Sequence, residues 1–289
     1  MIHKIENGFI EVQIKEFGAE LCSLKKKNDD YEYMWQADEK YWARHSPILF
    51  PIVGKLIDDE YIYNNKKYKM TQHGFARDCL FKVFDKKTDE IIFRLQSSTK
   101  TLEMYPFKFE FFIQYKLTKN TLIIGYKVIN HSDNKMFFSI GAHPAFNWPF
   151  ENKNKTQEYY LQFQNTVKLE RLPLTSLGIS SDKKFISLEN NKLKLNRDLF
   201  KDDALVLENL ETKSIVFKNN ENYKDIEITF DNFPFLGIWS KPTGAPFLCI
   251  EPWYGIADFI GHTKQLEEKK GILSLNINQI YESNFQITI

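Results

Sequence analysis

The segment Phe109-Glu110-Phe111-Phe112-Ile113-Gln114-Tyr115-Lys116-Leu117 carries an apolar residue at every odd position. Successive side chains of an extended chain point to opposite faces, so Phe109, Phe111, Ile113, Tyr115 and Leu117 share one face. Leu122, Ile124, Tyr126 and Val128 continue the period beyond Lys119-Asn120, which reads as a turn. A hairpin of this kind has one oily face and must bury it against another layer.

The pattern recurs along the chain. Asn7-Gly8 is a two-residue turn signal followed by Ile10, Val12 and Ile14 in alternation with polar residues. Tyr61-Ile62-Tyr63 and Tyr68-Lys69-Met70 flank a polar turn, and Phe81 to Phe84 and Ile91 to Leu95 flank a charged one. Ile215-Val216-Phe217 is set to pair with Ile226 to Phe230, and Leu273, Leu275, Ile277, Phe285, Ile287 and Ile289 end the chain in the same style. Helical period is confined to 38–44, 198–203 and 263–270, each too brief to organise a core. The predicted fold is therefore all-β: a large antiparallel β-sandwich with a few short helices, with a closed barrel as the runner-up. No repeat or linker divides residues 1–289, so a single domain is expected, with 151–157 as an exposed loop.

Charge and cysteine usage narrow the partners. Thirty-nine Lys and Arg oppose 38 Asp and Glu, a net charge of +1, so no global field draws the chain to nucleic acid or acidic membranes. The partner expected is a small molecule, the chain itself a monomer or weak homodimer. Met1 to Gly8 lacks the apolar run of a signal peptide and no segment approaches a membrane span, which predicts a cytoplasmic protein. Cys22, Cys79 and Cys249 are widely spaced and read as buried thiols in a reducing compartment. The sequons at Asn130 and Asn154 read as chance matches.

Three stretches carry residues suited to chemistry. Gly141-Ala142-His143-Pro144-Ala145-Phe146-Asn147-Trp148-Pro149 sets an imidazole, which titrates near neutrality, beside rings that could offer flat faces to a sugar. Phe247-Leu248-Cys249-Ile250-Glu251 is an apolar run ending in a carboxylate before Pro252; if extended, it puts Glu251 on one face with Cys249 and Phe247. A carboxylate there must be hydrogen-bonded, ion-paired or functional. Gln72-His73-Gly74-Phe75-Ala76-Arg77-Asp78 combines a second imidazole with a guanidinium able to clamp an oxyanion or phosphate, or merely to pair with Asp78. Trp35, Trp42 and Trp239 read as core or wall residues, and Arg44, Lys55 and Arg94 as solvated. The only close His/Cys pair is His73 with Cys79, and no Gly-rich phosphate loop occurs, so neither a metal nor a dinucleotide is implied.

His73, His143 and Glu251, in this order on an all-β chain, resemble the aldose 1-epimerase (galactose mutarotase) family. Ser46-Pro47-Ile48-Leu49-Phe50-Pro51-Ile52-Val53-Gly54 and the His73 segment resemble its branch of LacX proteins and hexose-6-phosphate epimerases. The resemblance implies a sugar site in a cleft on one sheet and no cofactor. Glu251 would be the base on the anomeric hydroxyl and His143 the acid on the ring oxygen, opening and reclosing the hemiacetal. His73 and Arg77 would bind the sugar, Arg77 contacting a hydroxyl or a phosphate, and a carboxylate at Asp203, or else Asp202, would grip its hydroxyls. The chain lacks the Asn-Arg pair of the galactose enzymes, offering Gly54-Lys55 instead, with Arg44 as a candidate replacement guanidinium. Two other readings stay open: a non-catalytic sugar-binding or sensing protein, and a glycoside hydrolase in which Glu251 and Asp203 act as the two carboxylates.

Overall fold

A computed structural model describes residues 1–148, 158–220 and 224–289. The expected loop at 151–157, the sequon at Asn154 and Pro149 lie outside the described residues.

The alternating segments form a hairpin from Phe109–Thr118 and Thr121–Asn130, with Leu117 opposite Leu122, Tyr115 opposite Ile124 and Ile113 opposite Tyr126. Lys119 takes the positive φ of +52° that the tight turn needs. These two strands sit in a nine-stranded antiparallel sheet, flanked by Glu90–Gln96 on one side and Ile280–Thr288 on the other. Ser214–Asn219 pairs with Ile226–Thr229 in the same sheet, as the alternation predicts.

A second, eight-stranded sheet contains, in spatial order, Lys168–Leu172, Leu205–Glu208, Phe235–Trp239, Phe247–Tyr254, Ile140–Ala142 and Ile48–Leu49. Its inner face packs on the first sheet: Leu248 and Ile250 share one buried cluster with Phe111, Tyr126 and Phe285, and Phe50 stacks on Phe111 at 4.7 Å. The antiparallel sandwich, rather than the barrel, is the architecture. A three-stranded sheet of Ile2–Glu6, Ile10–Lys15 and Glu20–Lys26 adds its apolar side to the same cluster.

The helical expectations need correction. Residues 38–44 form turns, with the amides of Tyr41 and Trp42 both donating to the Asp38 carbonyl. So short a segment cannot repay helix nucleation, and Trp42 is instead drawn against Trp239 and Phe247. The other two stretches hold only 3-10 turns, Arg197–Phe200 and Leu266–Glu268. The α-helix present, Thr99–Met104, was not foreseen; it is started by a reciprocal cap between Ser98 and Thr101, where Thr takes the place of the usual Glu or Gln.

Candidate active site

The Phe247–Tyr254 strand explains why its sequence reads as one apolar run. Even-numbered Leu248 and Ile250 enter the main core, whereas Phe247 and Cys249 turn to the opposite face and are covered by Trp35, Trp42 and Trp239. Both faces are buried, so apolar residues suit every position. Glu251 continues the outer row and is 1% exposed.

Register brings His143 to it. Gly141 pairs with Trp253 and Ala145 with Cys249, so the intervening His143 falls opposite Glu251. The ladder is held across the break by the Ile250 amide, which donates to the Pro144 carbonyl at 3.2 Å. His143 Nε2 then lies 3.2 Å from Glu251 Oε2. The two are in contact but not aligned as a hydrogen bond, because neither Glu251 oxygen has a partner of acceptable geometry and His143 Nδ1 has none either.

His73 arrives from a loop whose glycines are steric requirements. His73 and Gly74 have φ of +68° and +72°, and a Cβ on Gly74 would lie 2.3 Å from the Phe50 carbonyl oxygen. That carbonyl accepts from both the Phe75 and Ala76 amides, while the His73 amide donates to the Gly54 carbonyl. The Gly54 amide returns the bond to His73 Nδ1 at 3.2 Å. Since Nδ1 accepts from a backbone amide, the neutral ring carries its proton on Nε2, and the Gln72 side-chain amide 3.2 Å from Nε2 must then turn its oxygen toward the ring. The two imidazoles stand edge to face, with centroids 5.5 Å apart.

These groups line a cleft of about 330 Å³ together with Arg77, Asp203, Lys55 and three tryptophans, Trp42, Trp239 and Trp253. All five residues singled out from the sequence therefore meet in one cavity. Asp203, not Asp202, faces it; φ of +76° and a bond from the Ala204 amide to its own carboxylate set its direction. The Arg77 guanidinium donates to the Gln72 carbonyl at 2.6 Å and lies 3.8 Å from Asp78, while Arg44 pairs with Asp78 at 2.8 Å. Arg94 pairs with Glu110 away from the cleft, as its solvated reading expects, but Lys55, though exposed, stands at the cleft wall.

The aromatic surfaces differ from those expected. Phe146 and Trp148 are buried in the main core, so they offer nothing to a ligand. Trp42 lies 4.8 Å from the His143 ring, and Trp239 meets His143 edge-on at 5.8 Å. The Trp253 ring passes over two glycines, Gly141 opposite it and Gly237 opposite Glu251: a Cβ would approach the ring at 2.6 Å from Gly141 and 2.4 Å from Gly237. Trp253 stands two residues after Glu251, and that period-two offset could have marked it as a wall residue in the sequence.

Burial dominates the electrostatics. It pushes the Glu251 carboxyl well above the usual range, helped by the negative charge of Asp203, with only the Trp253 indole pulling the other way. It lowers His143 to about 3 and His73 well below the ordinary imidazole value, the latter helped by His143 and Arg77. An ionised Glu251 beside a protonatable His143 was the expectation. Burial of both instead presses the pair toward its uncharged forms, a carboxylic acid beside a neutral imidazole.

The aldose 1-epimerase family model matches residues 1–269. Protein LacX of Lactococcus lactis subsp. lactis, in its plasmid and chromosomal forms, is 32% identical over 100% of this chain and 99% of the relative. A galactose mutarotase related enzyme from Lactobacillus acidophilus superposes with a TM-score of 0.95 at 37% identity, covering 100% of this chain and 97% of that one. A galactose mutarotase-like protein from Lactobacillus casei gives 0.92 at 33% identity, covering 100% and 99%. By the family model and these full-length relatives, the chain belongs to the aldose 1-epimerase family and is an isomerase.

Proposed function

We propose that this protein, working as one domain in the cytoplasm, interconverts the α and β anomers of a hexose or a hexose 6-phosphate. The observation that carries the reading is the 3.2 Å contact between His143 Nε2 and Glu251 Oε2 in a cleft walled by indoles. Anomer exchange needs one proton removed from the anomeric hydroxyl and one delivered to the ring oxygen. The pair holds one mobile proton, which passes between Nε2 and Oε2 once a small side-chain rotation brings their 3.2 Å contact into hydrogen-bond alignment. Ring opening begins with that proton on His143: Glu251 takes the hydroxyl proton as His143 protonates the ring oxygen. The hemiacetal C–O bond breaks, leaving a free aldehyde. Rotation about the bond to the next carbon and closure with the two roles reversed yield the other anomer and restore both groups.

His73 donates from Nε2 to a sugar oxygen, a role supported by the amide that occupies Nδ1. Asp203, which also lines the cleft, accepts from sugar hydroxyls, and the indole faces cover the apolar side of the ring. Arg77 contacts a hydroxyl or the 6-phosphate, for which its planar donors are suited. Cys22, Cys79 and Cys249, all unpaired, support the cytoplasmic setting.

The test is an exchange assay by NMR on glucose, galactose and their 6-phosphates, with Arg77→Ala in parallel. Accelerated exchange on a free reducing sugar supports the reading, and loss confined to phosphorylated sugars after Arg77→Ala assigns the phosphate to that residue. Binding without exchange would instead indicate a sugar sensor, and release of reducing sugar from a glycoside would indicate a hydrolase.

A further inference from the structure

Cys249 takes no part in the reaction above, yet it sits beside the acid/base pair. It stands two residues before Glu251 on the same strand face, and His143 lies opposite that row in the break between Ile140–Ala142 and Ala145–Asn147. One ligand-capable atom from each of His143, Cys249 and Glu251 can be chosen so that all three lie within 4.8 Å of one another. Residues close in the chain are what a spacing argument inspects; here a strand offset of two and a cross-strand neighbour assemble the set instead.

We propose that His143, Cys249 and Glu251 form a binding site for a soft divalent cation such as Zn2+ or Cd2+, which blocks the cleft by occupying the acid/base pair. The donor set is one imidazole nitrogen, one thiolate sulfur and one carboxylate oxygen, a combination zinc accepts with a fourth position left open. Thiolate and imidazole favour soft and borderline ions over Mg2+ or Ca2+. The donors face one another: both Glu251 oxygens are buried without a hydrogen-bond partner, and His143 Nε2 lies 3.2 Å from one of them. Burial and Glu251 push the Cys249 thiol up, so the cation must displace its proton on binding. A dication between a thiolate and a carboxylate is neutral overall, which suits a site removed from water better than either anion alone. Binding releases the thiol proton and any carboxyl proton to solvent, leaving charge balanced. Entry is through the cleft, whose lining includes His143 and Glu251, while Cys249 is fully buried in the cluster covered by Trp42 and Trp239 and is reached past them.

The binding does not depend on anomerisation, but the inhibition that follows from it rests on that reading. The experiment therefore reads binding directly. The full chain carrying Cys22→Ser and Cys79→Ser, with Cys249 as its single thiol, is titrated with Cd2+ alone. The expected result is one Cd2+ per chain with the ultraviolet charge-transfer absorption of a cadmium thiolate. Glu251→Gln in the same background should weaken binding by about tenfold or more, and His143→Gln serves the same comparison should that variant not fold. Absence of the thiolate absorption, or affinity unaltered by loss of the carboxylate or imidazole, overturns the proposal. A site that binds Cd2+ as expected in a protein lacking exchange activity would leave the cation site standing and count only against the anomerisation reading.

Discussion

His143 Nε2 lies 3.2 Å from Glu251 Oε2 because Gly141 pairs with Trp253 and Ala145 with Cys249 on either side of them. The contact is a product of strand register, and it joins two groups that each resist ionisation where they are. The anomer exchange proposed above needs one proton removed and one delivered at two different oxygens, a task this pair would divide between its members.

Glu251→Gln should therefore leave the fold intact and slow anomer exchange by about 10²- to 10⁴-fold, the range of a lost general acid or base. His143→Gln should cost a similar factor. The double variant should be little slower than either single one, because the pair acts as a unit. Saturation-transfer NMR on a reducing hexose checks this, and near-normal exchange in Glu251→Gln would exclude it as the base.

The bond from the Gly54 amide to His73 Nδ1 fixes a tautomer. ¹⁵N spectra of the histidine rings should report His73 as neutral with its proton on Nε2, and neutral well below the ordinary imidazole range because its pKa is lowered. A proton found on Nδ1 would contradict the role assigned to this ring as a donor into the cleft.

Gly237→Ala tests the slot that holds Trp253. An added methyl group would meet the indole at 2.4 Å, so the ring or the strand must shift. Overpacking of this kind destabilises by about 1–3 kcal/mol, read by chemical denaturation. Because the displaced ring also lines the cleft, exchange activity should fall together with stability. Full activity in a destabilised variant would show that the position of Trp253 does not matter to the site.

Acid sensitivity should come from buried imidazoles. Burial and Lys15 lower the His45 imidazole to about 4 from its ordinary value of 6.5. The unfolded chain thus binds more protons than the native one between these values. The stability His45 contributes is fully present above about pH 6.5 and is lost as pH falls toward about 4. His73 and His143 act in the same direction. Glu251 acts oppositely: its raised pKa gives stability present below the unfolded carboxyl value and lost as pH rises through the folded one. Melting temperatures followed downward from neutral pH should decline, and His45→Gln should shallow the decline; an unaltered slope would remove His45 as a cause.

The alternation at Phe109–Thr118 is a local property, since adjacent side chains on an extended backbone must face opposite ways whatever the chain does elsewhere. By itself, then, the sequence determined the strands, several hairpins and the antiparallel sandwich. It also marked His73, His143, Glu251, Arg77 and Asp203 through their motifs. What only the tertiary structure decided depends on pairing between distant segments. Phe146 and Trp148 sit in the core while Trp42, Trp239 and Trp253 wall the cleft, a choice made by which sheet face each strand turns outward. The uncharged state favoured for the Glu251–His143 pair is likewise a matter of burial, which no residue carries in its identity. Register and desolvation act across the fold, and so they become legible only once the two sheets have closed on each other.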